Sequence, residues 1–399
     1  QKADLERIFK DKTKSWKSLD YVAGWFMKAA EYGKHTNSVS AFVSTNSICQ
    51  GQQVPILWPL IFATDNEIAF AHTSFKWANL ASHNAGVTVV IVSVSNQAKP
   101  QRRLFSIGEN GTTIEKKAEN INAYLVAAPN IIVTKQSKPI SEVDIIDYGN
   151  KPTDGGNLLL TSSEVTELNL KEKEARKFIR PFLGSAEFIR GISRFCLWLE
   201  DQNVDDACNN PVIRQRVEAV RDMRLASSKE STRTGAKFPH RFDERRQQGS
   251  ETVIAIPRVS SENRSYLPCG FLPPNAIISD SAFALYDAPL WNMALIVSRL
   301  HLVWIATVCG KLKTDFRYSN TMGWNTFPVP KLTEKNKEDL TRCAEDILLA
   351  REAHFPATIA DLYNPETMPD NLRHAHERND EVLERIYIGR RFKNDTERL

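Results

Sequence analysis

Apolar positions in the first hundred residues switch between a helical and a strand period. Leu19, Val22, Ala23, Phe26 and Ala30 recur three and four apart, the spacing of one helix face. A short polar turn follows. Residues 40–48 then read as a buried strand that ends in a polar Ser-Thr-Asn-Ser loop. Residues 53–62 suit a short helix, with Pro55 tolerated in its first turn. Residues 67–72 form a second strand. Residues 86–94, Gly-Val-Thr-Val-Val-Ile-Val-Ser-Val, are the densest β-branched run in the chain and its clearest strand. Such continuously apolar strands are buried on both faces, as in helix-covered sheets. Residues 103–107 add an edge strand.

The pattern changes after residue 108. Gly108, Gly111, Pro129, Pro139, Gly149, Pro152, Gly155 and Gly156 punctuate a stretch with no sustained period, which reads as a connector wrapping back over the sheet. Beyond it, Ser162-Ser-Glu-Val resembles a helix start. A helix is expected over 211–227, strands over 253–257 and 282–286, a helix over 291–309 and a basic loop over 311–318. Good helix formers fill 335–353 and again 371–391, separated by the breakers Pro356 and Pro369. The expected organisation is an α/β sheet portion over 1–110, a connector over 111–160, a mixed α+β domain over 161–330 and a helical segment over 331–399. No internal repeat or low-complexity tract is present.

Composition narrows the picture only a little. Hydrophobic content of 42% and charge of 25% are ordinary for globular chains, and 399 residues suffice for two or three domains with real cores. A net charge of +4 neither requires nor excludes nucleic acid. The six cysteines form no CxxC pair, which argues against a zinc ribbon and for reduced, buried thiols. The eight histidines give no metal-ligand spacing beyond His374-Ala-His376, whose rings would face different sides of a helix. No run is apolar enough for a membrane span, and no P-loop or nucleophile elbow is present. The polar start from Gln1 reads as processed or truncated.

Short motifs carry more. Leu19-Asp-Tyr-Val-Ala-Gly-Trp25, Phe42-Val-Ser-Thr-Asn-Ser-Ile48 with Gln50-Gly-Gln52, and Phe75-Lys-Trp-Ala-Asn79 come first. Phe178-Ile-Arg-Pro-Phe182 with Gly184-Ser-Ala-Glu-Phe188 follows, then Pro257-Arg-Val-Ser-Ser-Glu262, then Tyr318-Ser-Asn320 with Asn325-Thr-Phe-Pro328. In this order they resemble the MmeI-like family of bacterial DNA adenine-N6 methyltransferases and combined restriction–modification enzymes. The resemblance implies the second half of a Rossmann-like methyltransferase sheet, then a mixed α+β target-recognition domain and a helical C-terminal tail. It also implies a bacterial cytoplasmic location, double-stranded DNA as partner, and S-adenosylmethionine as cofactor of the intact protein, held only weakly by this portion.

The family implies roles residue by residue. Asp20 and Tyr21 match the helix start that lines the S-adenosylmethionine pocket, and Asn46 the next strand end; both positions also suit plain capping. Phe75 and Trp77 match the aromatics placed against an extruded adenine, where ring stacking offsets unstacking, or they are core rings beside a strand. Lys313, Asp315 and Arg317 alternate in the basic loop. If that segment is extended they share one side, and a Lys–Asp pair could read one G·C pair; a solvated charged loop is the alternative. Arg221, Arg224, Arg258 and Arg264 are phosphate candidates, with Ser260 and Ser261 beside them. Interspersed acidic residues argue against a purely electrostatic stripe.

The family's Asn-Pro-Pro-Phe/Tyr tetrapeptide and Gly-rich cofactor loop do not occur in this sequence. The expected function is therefore the C-terminal part of a DNA adenine-N6 methyltransferase. A non-catalytic target-recognition module is the alternative, and a scaffold that binds RNA or protein is a third reading.

Overall fold

The computed structural model describes residues 1–77, 87–108, 110–312 and 314–399. The chain is mixed α/β and divides into two compact units. One comprises residues 1–141, 303–328 and 393–399, and the other residues 142–302 and 329–392. The units are discontinuous in sequence.

In the first unit α1 (Lys2–Phe9) and α2 (Ala23–Gly33) precede β1 (Val39–Thr45), and α3 (Gln53–Phe62) precedes β2 (Glu67–Lys76). Then come β3 (Thr88–Ser95), β4 (Arg102–Ile107) and β5 (Thr113–Ala118). They form one sheet in the order β1-β3-β2-β4-β5. β3 lies antiparallel between β1 and β2, with Ile91 opposite both Val43 and His72. That central place explains its β-branched run: Val90, Val92 and Val94 are buried on one face and Ser93 and Ser95 on the other. The helices cover the first face with Phe26, Met27, Leu57, Trp58 and Ile61. Phe26 meets Phe42 at 4.8 Å and the edge of Trp58 at 6.1 Å, and the Trp58 indole donates to the Ile48 carbonyl at 2.8 Å. Burying one such ring contributes about 1.5–3 kcal/mol.

Several local expectations change. Residues 19–22 are a turn, and the helix begins at Ala23. β1 stops at Thr45, and Asn46–Cys49 is a 3₁₀ turn. β2 runs on to Lys76 through register shifts at Ile68/Phe70 and His72/Phe75. β5, inside the expected connector, pairs antiparallel with β4. Its side chains are exposed except Ala118, so no apolar alternation marked it. The helix expected over 291–309 is two helices, Trp291–Ile296 and Arg299–Val308. Ser298 separates them: its hydroxyl donates to the Leu295 carbonyl and accepts the His301 amide, a side-chain bond that competes with the helix ladder.

The second unit holds two four-stranded sheets. One runs Gly270–Leu272, Val253–Pro257, Ala282–Tyr286, Asp147–Tyr148, and the other Ile277–Ile278, Ile179–Leu183, Phe195–Leu197, Leu159–Leu160. Pro211–Leu225 packs Ile213, Val217 and Val220 into the core of the second sheet. The long helices Glu334–Glu352 and Asp370–Ile388 close the unit. Between them Arg351 donates to Tyr363 Oη at 2.8 Å and to the Cys269 carbonyl, Tyr363 Oη meets His376 Nε2 at 2.7 Å, and Tyr266 stacks on His376 at 4.1 Å. Burial holds His376 well below the usual imidazole range, so it is neutral.

All six cysteines are free thiols, five of them buried. Among the described residues no group of His, Cys, Asp and Glu could hold a metal, and no helix is long and apolar enough to cross a membrane.

Candidate functional site

The end of β1 splits its polar residues between two sides. Thr45 and Ser47 face outward, their hydroxyls 3.0 Å apart, and Ser47 Oγ donates to Asp20 Oδ2 at 2.6 Å. Asp20 is exposed, yet its backbone N–H is also held, by Gln53 Oε1 at 3.0 Å. The same carboxamide donates through Nε2 to the Ser18 carbonyl at 2.7 Å. Gln53 opens α3, so one side chain pins both ends of the Ser18–Asp20 segment. The result is an oriented carboxylate at a strand end, where α/β sheets gather their ligands.

Asn46 points the other way and is buried. Its amide reaches Ser74 Oγ only at 3.5 Å, and it lines a polar cavity of about 230 Å³ with Gln50, Ser74, Thr307 and Lys311. Tyr21 is separate again. Its hydroxyl donates to Asp4 Oδ2 at 3.1 Å, and it borders a cleft of about 150 Å³ with Trp25. That hydrogen bond lowers the Asp4 pKa and raises that of Tyr21. Asp20, Tyr21 and Asn46, expected as one cofactor set, thus have side chains in three different surroundings; Asp20 keeps Thr45 and Ser47 as neighbours.

Phe75 and Trp77 stand side by side, ring centroids 6.4 Å apart, and Phe75 also meets His72 at 4.6 Å. Trp77 is 40% exposed and Phe75 half-buried, so both rings present surface. They sit at the far end of β2, where Phe75 opposes Val89 and the Trp77 amide bonds the Val87 carbonyl. Asn79, which ends their motif, lies outside the described residues.

The segment read as a basic loop is a hairpin of Lys311–Leu312 and Asp315–Arg317, with Lys311 opposite Phe316 and Leu312 opposite Asp315. Phe316 is buried, Asp315 half-buried and Arg317 exposed, the alternation of an extended strand. Lys313 lies outside the described residues. Gly310 carries the hairpin's base, accepting the Arg317 amide at 3.0 Å. It is met by Gly51, whose φ is +55° and where a Cβ would lie 3.3 Å from the Gly310 nitrogen.

The arginines differ in kind. Arg221 is exposed. Arg224 is 1% exposed, and its guanidinium donates to the carbonyls of Pro152, Thr153, Gly235, Phe238 and Arg241 at 2.8–3.1 Å. The phosphate role expected for Arg224 is corrected: it staples its helix to the segments 152–153 and 235–241 and cannot reach a backbone phosphate. The cause is helical phase, since Arg224 lies on the buried stripe of Ile213, Val217 and Val220. Arg258 donates to the Asp280 carbonyl at 2.7 Å and lies over the rings of Tyr148 and Phe283, and Arg264 donates to Ser260 Oγ at 3.2 Å. Ser260 is itself buried. Arg216, Arg241, Arg245 and Arg246 pair with Glu164, Asp201, Glu200 and Glu244.

Gln53 and Ser47 were not singled out by sequence as holding Asp20, nor was Gly310 as the partner of Gly51. The one signal was the Gln50-Gly-Gln52 run after the strand.

Comparison with known proteins gives these elements a context. Family models match the chain in order: the DNA-methyltransferase domain of MmeI over residues 1–106, its target recognition domain over 127–331 and its C-terminal domain over 332–399. The class so defined joins a DNA-methyltransferase domain to a target-recognition domain on one polypeptide. The chain belongs to the MmeI family. It is 39% identical over 398 residues to DNA methyltransferase A of Bacillus subtilis (strain 168), covering 100% of this chain and 44% of that protein. It is also similar to the Type IIL restriction-modification enzyme MmeI solved in complex with DNA. There the TM-score is 0.88 and the identity 37%, over 100% of this chain and 53% of that one. The chain thus spans about half the length of the relatives it matches.

Proposed function

We propose that this chain is the target-choosing portion of a DNA adenine-N6 methyltransferase, and that it binds duplex DNA sequence-specifically. In the intact enzyme a methyl group passes from S-adenosylmethionine to N6 of an extruded adenine. The observation that carries this reading is the ordered succession of methyltransferase, target-recognition and C-terminal models along the chain.

The residues present fit the cofactor in one respect. The Asp20 carboxylate, held by Ser47 and backed by Gln53, is an acceptor for a hydroxyl or amine of S-adenosylmethionine. The cofactor supplies the electrophilic methyl group when bound. Phe75 and Trp77 offer ring faces to a base taken out of the stack, each stacked ring worth about 1–3 kcal/mol. Asp315 and Arg317, with Lys313, read base edges: a carboxylate accepts from cytosine N4, and a cation donates to guanine O6 and N7. Arg221 contacts a phosphate. Asn46 and Tyr21, each lining a separate cleft away from the Asp20 carboxylate, would contact other parts of the cofactor.

Supplying the full-length protein with labelled S-adenosylmethionine and genomic DNA tests the reading. N6-methyladenine at one short sequence is the expected product; methylation of cytosine, or of RNA, would contradict it. The match to about half of each relative favours a second reading, in which this chain alone recognises DNA without catalysing transfer. Calorimetry of the isolated chain decides it: tight S-adenosylmethionine binding would count against that reading.

A further inference from the structure

The run Gln50-Gly51-Gln52-Gln53 leads from the 3₁₀ turn after β1 into α3 and makes contacts on two sides. On one side the Gln53 carboxamide closes two hydrogen bonds, accepting from the Asp20 amide at 3.0 Å and donating to the Ser18 carbonyl at 2.7 Å. An amide side chain bonded to two backbone groups of one turn fixes that turn's conformation, because both its donor and its acceptor are used. With Ser47 Oγ on Asp20 Oδ2 at 2.6 Å, the Asp20 segment is held by backbone and side chain alike. On the other side Gly51 abuts Gly310, the residue from which the Lys311–Arg317 hairpin springs. A Cβ at Gly51 would stand 3.3 Å from the Gly310 nitrogen and 3.4 Å from its Cα, and φ of +55° is strained for most L-residues. The contact is backbone to backbone, so neither partner can yield by turning a side chain.

We propose that this turn is the positioning element of the site: Gln53 sets the Asp20 segment for the cofactor, and Gly51 seats the base-reading hairpin. Both roles rest on the methyltransferase reading above. Gln53 and Gly51 are positioning residues, acting through Asp20 and through the hairpin. The two contacts use different residues of the turn, Gln53 through its carboxamide and Gly51 through its backbone, so each can be altered without the other.

The test uses the full-length protein, with wild-type methylation as control. If wild type neither methylates DNA nor binds S-adenosylmethionine, the methyltransferase reading fails before any variant speaks. Given an active wild type, Gln53→Met should weaken S-adenosylmethionine about tenfold in calorimetry, the equivalent of two modest hydrogen bonds, with DNA affinity unchanged. Gln53→Leu, which likewise removes both hydrogen bonds, is the second variant should the first not fold, and should lose as much.

Gly51→Ala and Gly51→Asn should do the reverse. Discrimination between the cognate site and single-base variants falls severalfold while cofactor affinity holds. Asn tolerates the left-handed φ but still carries the Cβ, so its effect isolates the seat from backbone strain. Cofactor affinity within twofold of wild type in Gln53→Met overturns the proposal. So do equal losses of cofactor and DNA binding in either set of variants, which would mean general misfolding.

Discussion

Replacing Arg224 by methionine keeps a long apolar stem and removes five hydrogen bonds from a side chain that is 1% exposed. Each bond from a charged donor contributes about 1.5–3 kcal/mol net, and a plain sum overshoots because some freed carbonyls regain water. Losing the charged partner of a buried polar cluster typically costs about 3–5 kcal/mol, so we expect close to 4 kcal/mol. That is a large share of the roughly 5–15 kcal/mol that holds an ordinary domain together. Urea unfolding followed by tryptophan fluorescence measures it. With a slope of about 2 kcal/mol per molar, the transition reporting the second unit should fall by about 2 M. Arg224→Lys retains the charge without the fork and should lose somewhat less. A shift under about 0.5 M would refute the staple. So would a folded variant whose DNA affinity loses about one unit of salt slope, since that is the signature of a phosphate contact. Arg221→Ala, at an exposed position on the same helix, is the variant expected to show that slope change.

Other outcomes follow from the same structure. The Thr161 amide and Arg216 beside Glu164 hold its carboxyl down to about 2. The folded value lies below the ordinary 4.5, so this contribution is present at neutral pH and fades as pH falls from 4.5 toward 2. Acid unfolding of wild type against Glu164→Gln should diverge above that window and converge within it; parallel curves would contradict this. Substituting Phe75 and Trp77 together by alanine should cut methylation about five- to a hundredfold and lower 2-aminopurine fluorescence at the target base, from stacking worth about 1–3 kcal/mol. An unchanged signal would remove both rings from base stacking. Exchanging Lys313 and Asp315 together should alter the preferred base at one position of the site, by about 1–3 kcal/mol of discrimination. Equal loss on all sequences would mean phosphate contact or misfolding instead.

Strong periods survived translation into structure and weak ones did not. The β-branched run became the central strand because burial on both faces demands what the sequence displays there. Gln53–Phe62, Arg102–Ile107, Val253–Pro257 and Ala282–Tyr286 were legible for similar reasons. β5 was hidden because an exposed edge strand of Thr113, Glu115, Lys116 and Lys117 needs no apolar face. The break at Ser298 was hidden because apolar residues continue across it, and only the hydroxyl's choice of partners divides the helix. Site residues were harder to read. Arg224 looks in sequence like its exposed neighbour Arg221, and only helical phase tells staple from surface. Asp20 was visible as a motif residue, whereas Gln53, which fixes it from 33 positions away, was not.

Incubating the full-length protein with S-adenosylmethionine and duplex DNA, then mapping methylated bases by sequencing and mass spectrometry, tests the central claim most directly. The account predicts N6-methyladenine confined to one short sequence, with Asp315 and Arg317 variants moving the site but keeping the modified base. Methylation of another base, or a site indifferent to those two residues while the protein stays folded, would contradict it.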